Sequence, residues 1–282
     1  MIPASVDYLR AGSLEEALDA LREPEAKVLA GGHSLVPMMK LRLARPSLLV
    51  DISRLPLGGV TASGGGCELG ALATWEEIAR AEGVPLALSE CAAAVGDLQV
   101  RNWGTIGGGS AHADPAADMP APLLAFGATM RLRSREGGRE VKADEFFLGP
   151  FTTALGEEEL LVAIHVPAPP AGAGSAYVAI RDPASGYPLA GAAARVGLEG
   201  ATIASCAIAL TGLAGRPFRA RALEERLLGA EADSVETAAG DALAGVDVLD
   251  DPRTDPEYRR HLGRVVVRRA LALAIRRAEE GR

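Results

Sequence analysis

Two glycine turns, each running straight into a helix start, constrain this 282-residue chain more than any other feature. The first, Ala30-Gly31-Gly32-His33-Ser34, is reached from the short apolar run Val28-Leu29. The second, Thr105-Ile106-Gly107-Gly108-Gly109-Ser110, is followed at once by Ala111-His112-Ala113-Asp114-Pro115. Main chain without a Cβ admits a ligand closely, and successive N–H groups at a helix start favour an anion. Two such turns in one domain imply a cofactor with a long phosphate bridge. The expected donors are the N–H groups of Gly32, His33 and Ser34, the Ser34 hydroxyl, and the N–H groups of Gly108 and Gly109. Hydrogen bonds to a charged group contribute about 1.5–3 kcal/mol each, partly offset by the freedom the ligand loses.

Glycine pairs alone carry little. The 33 glycines would form about four neighbouring pairs by chance, and the chain has seven, among them Gly64-Gly65, Gly65-Gly66 and Gly137-Gly138. Neither main turn matches the Gly-x-Gly-x-x-Gly dinucleotide fingerprint, so a Rossmann site is not expected. A net charge of −8 disfavours sequence-independent binding to nucleic acid or anionic lipid. Apolar runs end well short of about 20 residues, so no membrane span is expected. The first residues lack a basic region followed by an apolar core, and a cytoplasmic location is the expectation. Cys67, Cys91 and Cys206 stand alone, and His33, His112, His165 and His261 do not cluster at ligand spacing. No metal site and no catalytic acid–base constellation is read from the residues, so redox chemistry here requires an organic cofactor.

The chain opens as a β-α-β unit. Ser13-Leu14-Glu15-Glu16 reads as a capping box before a helix containing Ala17, Leu18 and Leu21. A strand near 27–30 enters the first turn; Ser34 is expected to cap a helix from Leu35 to about Leu43, and Leu48 to Ile52 reads as a strand. Gly58-Gly59 marks a boundary. Beyond it come a strand at Val60–Ala62, a turn at Gly64–Gly66 and a strand at Cys67–Leu69. Thr74-Trp75-Glu76-Glu77 caps a helix, and another is expected over 86–97. Strands are expected at 130–133 and 160–166, and Pro167 to Gly174 reads as a linker. Strands at 176–180, 190–198 and 201–210 then precede helices. In the last helix Tyr258, Leu262, Val265, Val266, Ala270 and Leu273 mark an apolar face. Strands followed by helices argue for an α+β domain.

The string AGGHSLVPMMKLRLARPSLLVDI (30–52) resembles the first flavin motif of the FAD-binding subunits of molybdenum hydroxylases. VGDLQVRNWGTIGGGSAHADPAADMPAPLLAFGA (95–128) is similar to their second. The likeness runs through FFLGPF, Arg181 to Gly191 and EYRRHL, and is nearest to the medium subunits of aerobic carbon monoxide dehydrogenases and their xanthine dehydrogenase-type relatives. It implies an α+β fold: a two-part FAD-binding domain of the vanillyl-alcohol-oxidase-like type, then a C-terminal antiparallel sheet with helices. The expected divisions are 1–57, 58–172 and 173–282. It implies FAD contacts from Ala30, Gly31, Gly32, His33, Ser34 and Leu35, joined by Thr105, Gly107, Gly108 and Gly109. Asp118 matches a carboxylate near the ribityl and phosphate end, and Tyr187 a residue covering one face of the isoalloxazine ring. The implied partners are a large molybdopterin-binding subunit and a small iron–sulfur subunit, in a heterotrimer or its dimer. The chain departs from the pattern at Gly109, often Asn in relatives, and at Trp103, where many carry a smaller or basic residue.

Read from the residues alone, several of these positions keep a second meaning. His33 is a phosphate or ribose contact or a loop histidine facing water; His112 and Asp114 shape the turn. Asp118 is a flavin contact or the N-cap of a helix around Leu123-Leu124, and Tyr187 covers the flavin or half-buries on a strand. Arg131, Arg133 and Arg135 read as a solvated strand face. A self-contained flavin oxidase is the rival to an electron-transfer subunit, but it would require a His, Tyr or Arg cluster over the flavin that the sequence does not offer.

Overall fold

A computed structural model of the chain describes residues 2–64, 66–251 and 254–281. The first unit is β1 (Asp7–Arg10), α1 (Leu14–Ala20), β2 (Lys27–Leu29), α2 (Leu35–Lys40) and β3 (Leu48–Asp51). Its three strands form a parallel sheet in the order β1-β3-β2. Ser13 caps α1 by accepting from the Glu16 N–H at 3.1 Å, but the Glu16 carboxylate accepts from Gly12 N–H at 2.6 Å. The return bond of the expected box therefore falls one residue early. α2 ends at Lys40, sooner than the apolar run suggests, because Arg42 turns left-handed at φ 59°. Ser34 does not cap it: its backbone is already helical and its side chain makes no cap bond.

Asp51 ties this sheet together. Its carboxylate accepts from the Tyr8 hydroxyl, from Arg10 Nε at 3.1 Å and from Ser53 N–H at 2.8 Å. Burial would raise its pKa, but these donors outweigh burial and hold it at about 2. A carboxylate lowered on folding stabilises the fold above its unfolded pKa and loses that contribution as pH falls through the folded value. About 2 kcal/mol is at stake, and about 1 kcal/mol of it is gone by roughly pH 3. Urea midpoints at about pH 5 and about pH 3 should differ less in Asp51→Asn than in wild type. An equal difference would exclude Asp51 as the source.

The second unit holds a five-stranded antiparallel sheet in the order β4-β5-β10-β6-β7. Its strands are β4 (Val60–Ser63), β5 (Gly66–Gly70), β6 (Thr129–Ser134), β7 (Gly137–Lys142) and β10 (Leu160–Val166). Between them lie α3 (Trp75–Arg80), α4 (Leu86–Ala93), α5 (Leu98–Trp103), α6 (Ile106–His112), α7 (Pro120–Ala125), α8 (Ala143–Phe146) and the small hairpin of β8 (Phe147–Gly149) and β9 (Thr152–Thr153). Gly65, part of the expected 64–66 turn, lies outside the described residues. Thr74 and Glu77 form the reciprocal capping box. The helix expected over 86–97 stops at Ala93, and a separate one follows: Asp97 accepts from the N–H groups of Gln99 and Val100 and starts α5. On β6, Met130 and Leu132 are buried while Arg131 and Arg133 face solvent, and Arg131 pairs with Glu68 and Glu140.

The third unit is an antiparallel sheet, β11 (Gly174–Arg181), β12 (Pro188–Glu199), β13 (Thr202–Thr211) and β14 (Phe218–Arg219), with α9 (Arg221–Leu227), α10 (Val235–Ala238) and α11 (Pro256–Glu280). Asp255 caps α11 by accepting from Tyr258 N–H at 2.8 Å. Leu262, Val266 and Ala270 face the sheet as expected, but Tyr258 is exposed and Val265 and Leu273 lie at the margin. The buried stripe continues through Gly263, Val267, Leu271, Ala274, Ile275 and Ala278. Small residues explain the shift. Ala176, Ala190, Ala192 and Ala194 make a flat sheet surface, so α11 sits close and its own small residues belong to the contact. A Cβ at Gly174 would lie 2.0 Å from the Ala274 carbonyl oxygen. The opposite sheet face, through Tyr177, Ala193 and Ala209, joins the core of the second unit. Glu90 of α4 locks this seam, accepting from Tyr177 N–H at 3.1 Å and pairing with Arg277.

Candidate functional site

β2 delivers the first glycine turn and α2 leads away from it. Gly32 adopts φ +71°, a left-handed conformation that a side chain would strain. Gly31 is required by proximity: a Cβ there would sit 1.9 Å from the Trp103 carbonyl oxygen and 3.1 Å from Gly104 Cα. The first turn is thus pressed against the entry to the second. Ala30 reaches the same place, since its Cβ lies 3.8 Å from where a Cβ of Gly108 would be. The two motifs, more than 70 residues apart in sequence, form one structure.

Their donors are unequal. The N–H groups of Gly32, His33, Ser34 and Leu35 make no hydrogen bond among the described residues, although Gly32, Ser34 and Leu35 are partly buried. In the second turn the N–H groups are spent within the chain. Gly107 donates to Ala71 O at 2.8 Å, Gly108 to Thr105 Oγ1 at 3.2 Å and Gly109 to Thr105 O at 2.9 Å. The expectation that Gly108 and Gly109 supply free donors is therefore corrected. Thr105 caps α6, and the turn is stitched to residues 71–73, so its contribution is close approach. The Trp75 ring fills the space beside Gly109, lying 2.8 Å from where a Cβ would stand. His33 folds back on its own turn: Nδ1 donates to Gly31 O at 2.7 Å, which leaves Nε2 outward.

Sequence reading missed Ser110. Its Oγ is buried and has no hydrogen-bond partner, although a buried hydroxyl is ordinarily satisfied. Its place directly after the glycine run was the available signal. Free N–H groups in the first turn, main chain without Cβ in the second and an orphaned hydroxyl beside it together fit a dinucleotide pyrophosphate.

α6 spans about 10 Å and carries the second group of residues at its far end. Asp114 accepts from Ala116 N–H at 2.8 Å and shapes the turn. His112 packs on Phe151 with ring centroids 5.1 Å apart, and burial lowers its pKa despite Asp114. Asp118 is not a helix cap, because Met119 occupies that position in α7. Its carboxylate accepts from Tyr177 Oη at 2.5 Å and from both Arg181 terminal nitrogens, at 2.8 and 3.1 Å. Burial still raises its pKa against these partners. Tyr187 is 49 % exposed in the hairpin between β11 and β12, and its pKa is raised by partial burial and by the charges of Asp114 and Asp118. The roles of Tyr177 and Arg181 had no local signal, since about 60 residues separate them from Asp118.

The cysteines take no part. Burial pushes the Cys67 thiol up to about 11, Cys206 up to about 12 and Cys91 well above its ordinary value. No group of three His, Cys, Asp or Glu among the described residues could hold a metal ion. No helix among them is long and apolar enough to cross a membrane.

Known proteins share the sequence and fold of this chain. Residues 4–169 match the family model of the FAD binding domain in molybdopterin dehydrogenase, and residues 175–274 that of the CO dehydrogenase flavoprotein C-terminal domain. The chain is similar to the glyceraldehyde dehydrogenase medium chain of Sulfolobus acidocaldarius, 38 % identical and covering 96 % of this chain and 98 % of that one. It is also similar to the carbon monoxide dehydrogenase medium chain of Hydrogenophaga pseudoflava, 39 % identical over 97 % and 98 %. A solved carbon monoxide dehydrogenase from Hydrogenophaga pseudoflava, lacking the Mo-pyranopterin moiety of its molybdenum cofactor, superposes with TM-score 0.93 at 40 % identity, covering 98 % and 99 %.

Proposed function

The chain belongs to the family of FAD-binding medium subunits of molybdopterin dehydrogenases, and from that premise we propose that it is the electron exit of such a complex. Electrons from the iron–sulfur clusters of a small partner subunit leave through the FAD site of this chain to a terminal acceptor. A large molybdopterin subunit performs the substrate oxidation, in a heterotrimer or its dimer located in the cytoplasm. FAD, when bound, supplies the redox chemistry.

The observation that carries this reading is the contact of Gly31 with Trp103, which makes two distant glycine turns one cradle. In it the N–H groups of Gly32, His33, Ser34 and Leu35 hold the pyrophosphate, and Ala30, Gly107, Gly108 and Gly109 leave room for it. Thr105 keeps the second turn in shape, and the Ser110 hydroxyl gains its missing partner. Tyr187 shields one ring face from water. The divisions at 58 and 173 belong to the same proposal.

The FAD-loaded chain should stay yellow through gel filtration and pass electrons from a chemical reductant to an acceptor. It should oxidise no organic substrate until the large and small subunits are added. Turnover of a substrate by the purified chain alone would overturn the proposal in favour of a self-contained flavin oxidase.

A further inference from the structure

The geometry points to Asp118 as a positioning residue that fixes the Tyr187 hairpin through Arg181. This rests on the reading that Tyr187 covers the flavin ring. Asp118 lies between α6 and α7, and that segment is itself held: Pro115 O accepts from Gly212 N–H at 3.0 Å and Ala117 O from Thr211 Oγ1 at 2.6 Å. Tyr177 and Arg181, four residues apart on β11, both reach the carboxylate from the C-terminal sheet. The Arg181 fork fits two carboxylate oxygens at once, which a lysine cannot do. Its Nη1 also donates to Gly186 O at 2.9 Å, one residue before Tyr187. A register shift between Ile180 and Arg181 accompanies this turn of the strand.

The hairpin loop is closed on itself. Asp182 N–H donates to Tyr187 O, Gly186 N–H to Asp182 O, and the Asp182 carboxylate accepts from Ala184 N–H and Ser185 Oγ. Arg181 joins this closed loop to the Asp118 segment, so Asp118 is the fixed end of a tether and Tyr187 rides on the other. With Asp118 neutral, the fork loses its charged partner and the loop is released.

Hydrogen exchange over residues 182–187 tests this in Asp118→Asn and in Arg181→Lys, each with and without FAD. Exchange should accelerate about tenfold or more in both variants, while Arg181→Lys keeps the FAD stoichiometry of wild type. Iodide quenching of flavin fluorescence should rise in both, and in Tyr187→Ala it should rise without faster exchange at Gly186. Unchanged exchange in Asp118→Asn and Arg181→Lys would overturn the proposal. So would loss of FAD from Asp118→Asn with the loop still protected, which would make Asp118 a flavin contact. If Asp118→Asn does not fold, Arg181→Lys decides by the same criterion. Wild-type protein that cannot retain FAD would defeat the functional reading, whereas exchange in the FAD-free chain still judges the tether.

Discussion

Replacing Gly31 by alanine should cost the protein its FAD. The new Cβ would stand 1.9 Å from the Trp103 carbonyl oxygen and 2.8 Å from its carbon, and main chain cannot rotate away as a side chain does. Apolar contacts settle near 3.5–4.0 Å, so the two turns must part by an ångström or more. The chain then pays an overpacking cost of about 1–3 kcal/mol. Loss of two hydrogen bonds to the pyrophosphate adds about 3–6 kcal/mol to the binding deficit, roughly a hundred- to ten-thousand-fold in Kd. Gly240→Ala in the C-terminal unit is the matched control, because a Cβ there would meet nothing within 4 Å. Flavin titration by fluorescence should separate the two variants by at least about tenfold in Kd. Wild-type affinity and an unchanged thermal midpoint in Gly31→Ala would show that the cradle is not where FAD binds.

Replacing Glu224 by alanine should destabilise the C-terminal unit by about 3–5 kcal/mol. This residue is 6 % exposed, and its carboxylate accepts from Ile208 N–H at 2.7 Å and from Arg219 at 2.9 and 2.6 Å. Truncation strands a main-chain donor of β13 and the Arg219 charge together. Arg195 compounds the effect: burial lowers its pKa first and the charge of Arg219 lowers it further, so two cations would face each other unscreened. The double variant Glu224→Ala, Arg219→Met should recover much of the loss, because the Arg219 charge that faces Arg195 is then removed as well. Urea unfolding measures both. A loss below about 1 kcal/mol in the single variant would mean that the site collapses onto water and the ion pair is weak.

Much of the fold was legible because local physics decided it. Ser13 and Thr74 cap helices through bonds to residues three positions on, which a short window contains. The alternation of Met130 and Leu132 with Arg131 and Arg133 likewise fixes the face of β6 from neighbours alone. The stripe of α11 was read only in part. Hydrophobicity picks Tyr258 and Leu273, but what packs on the alanine-rich sheet is the side with Ala274 and Ala278, against Gly174. That choice depends on how closely two elements approach, and no single element contains the information.

The functional site divides in the same way. Sequence alone determined that two glycine turns exist, that each opens a helix and that the cysteines and histidines are not at metal-ligand spacing. These follow from residue type and spacing. Tertiary structure decided that Gly31 meets Trp103, that the N–H groups of the second turn are already spent, and that Asp118 answers to Tyr177 and Arg181. The first and the last join residues about 60 or more positions apart, and Gly107 reaches Ala71 across more than 30. Hydrogen bonds and steric fit act over about 3–4 Å of space whatever the separation along the chain, so only the folded arrangement could assign them.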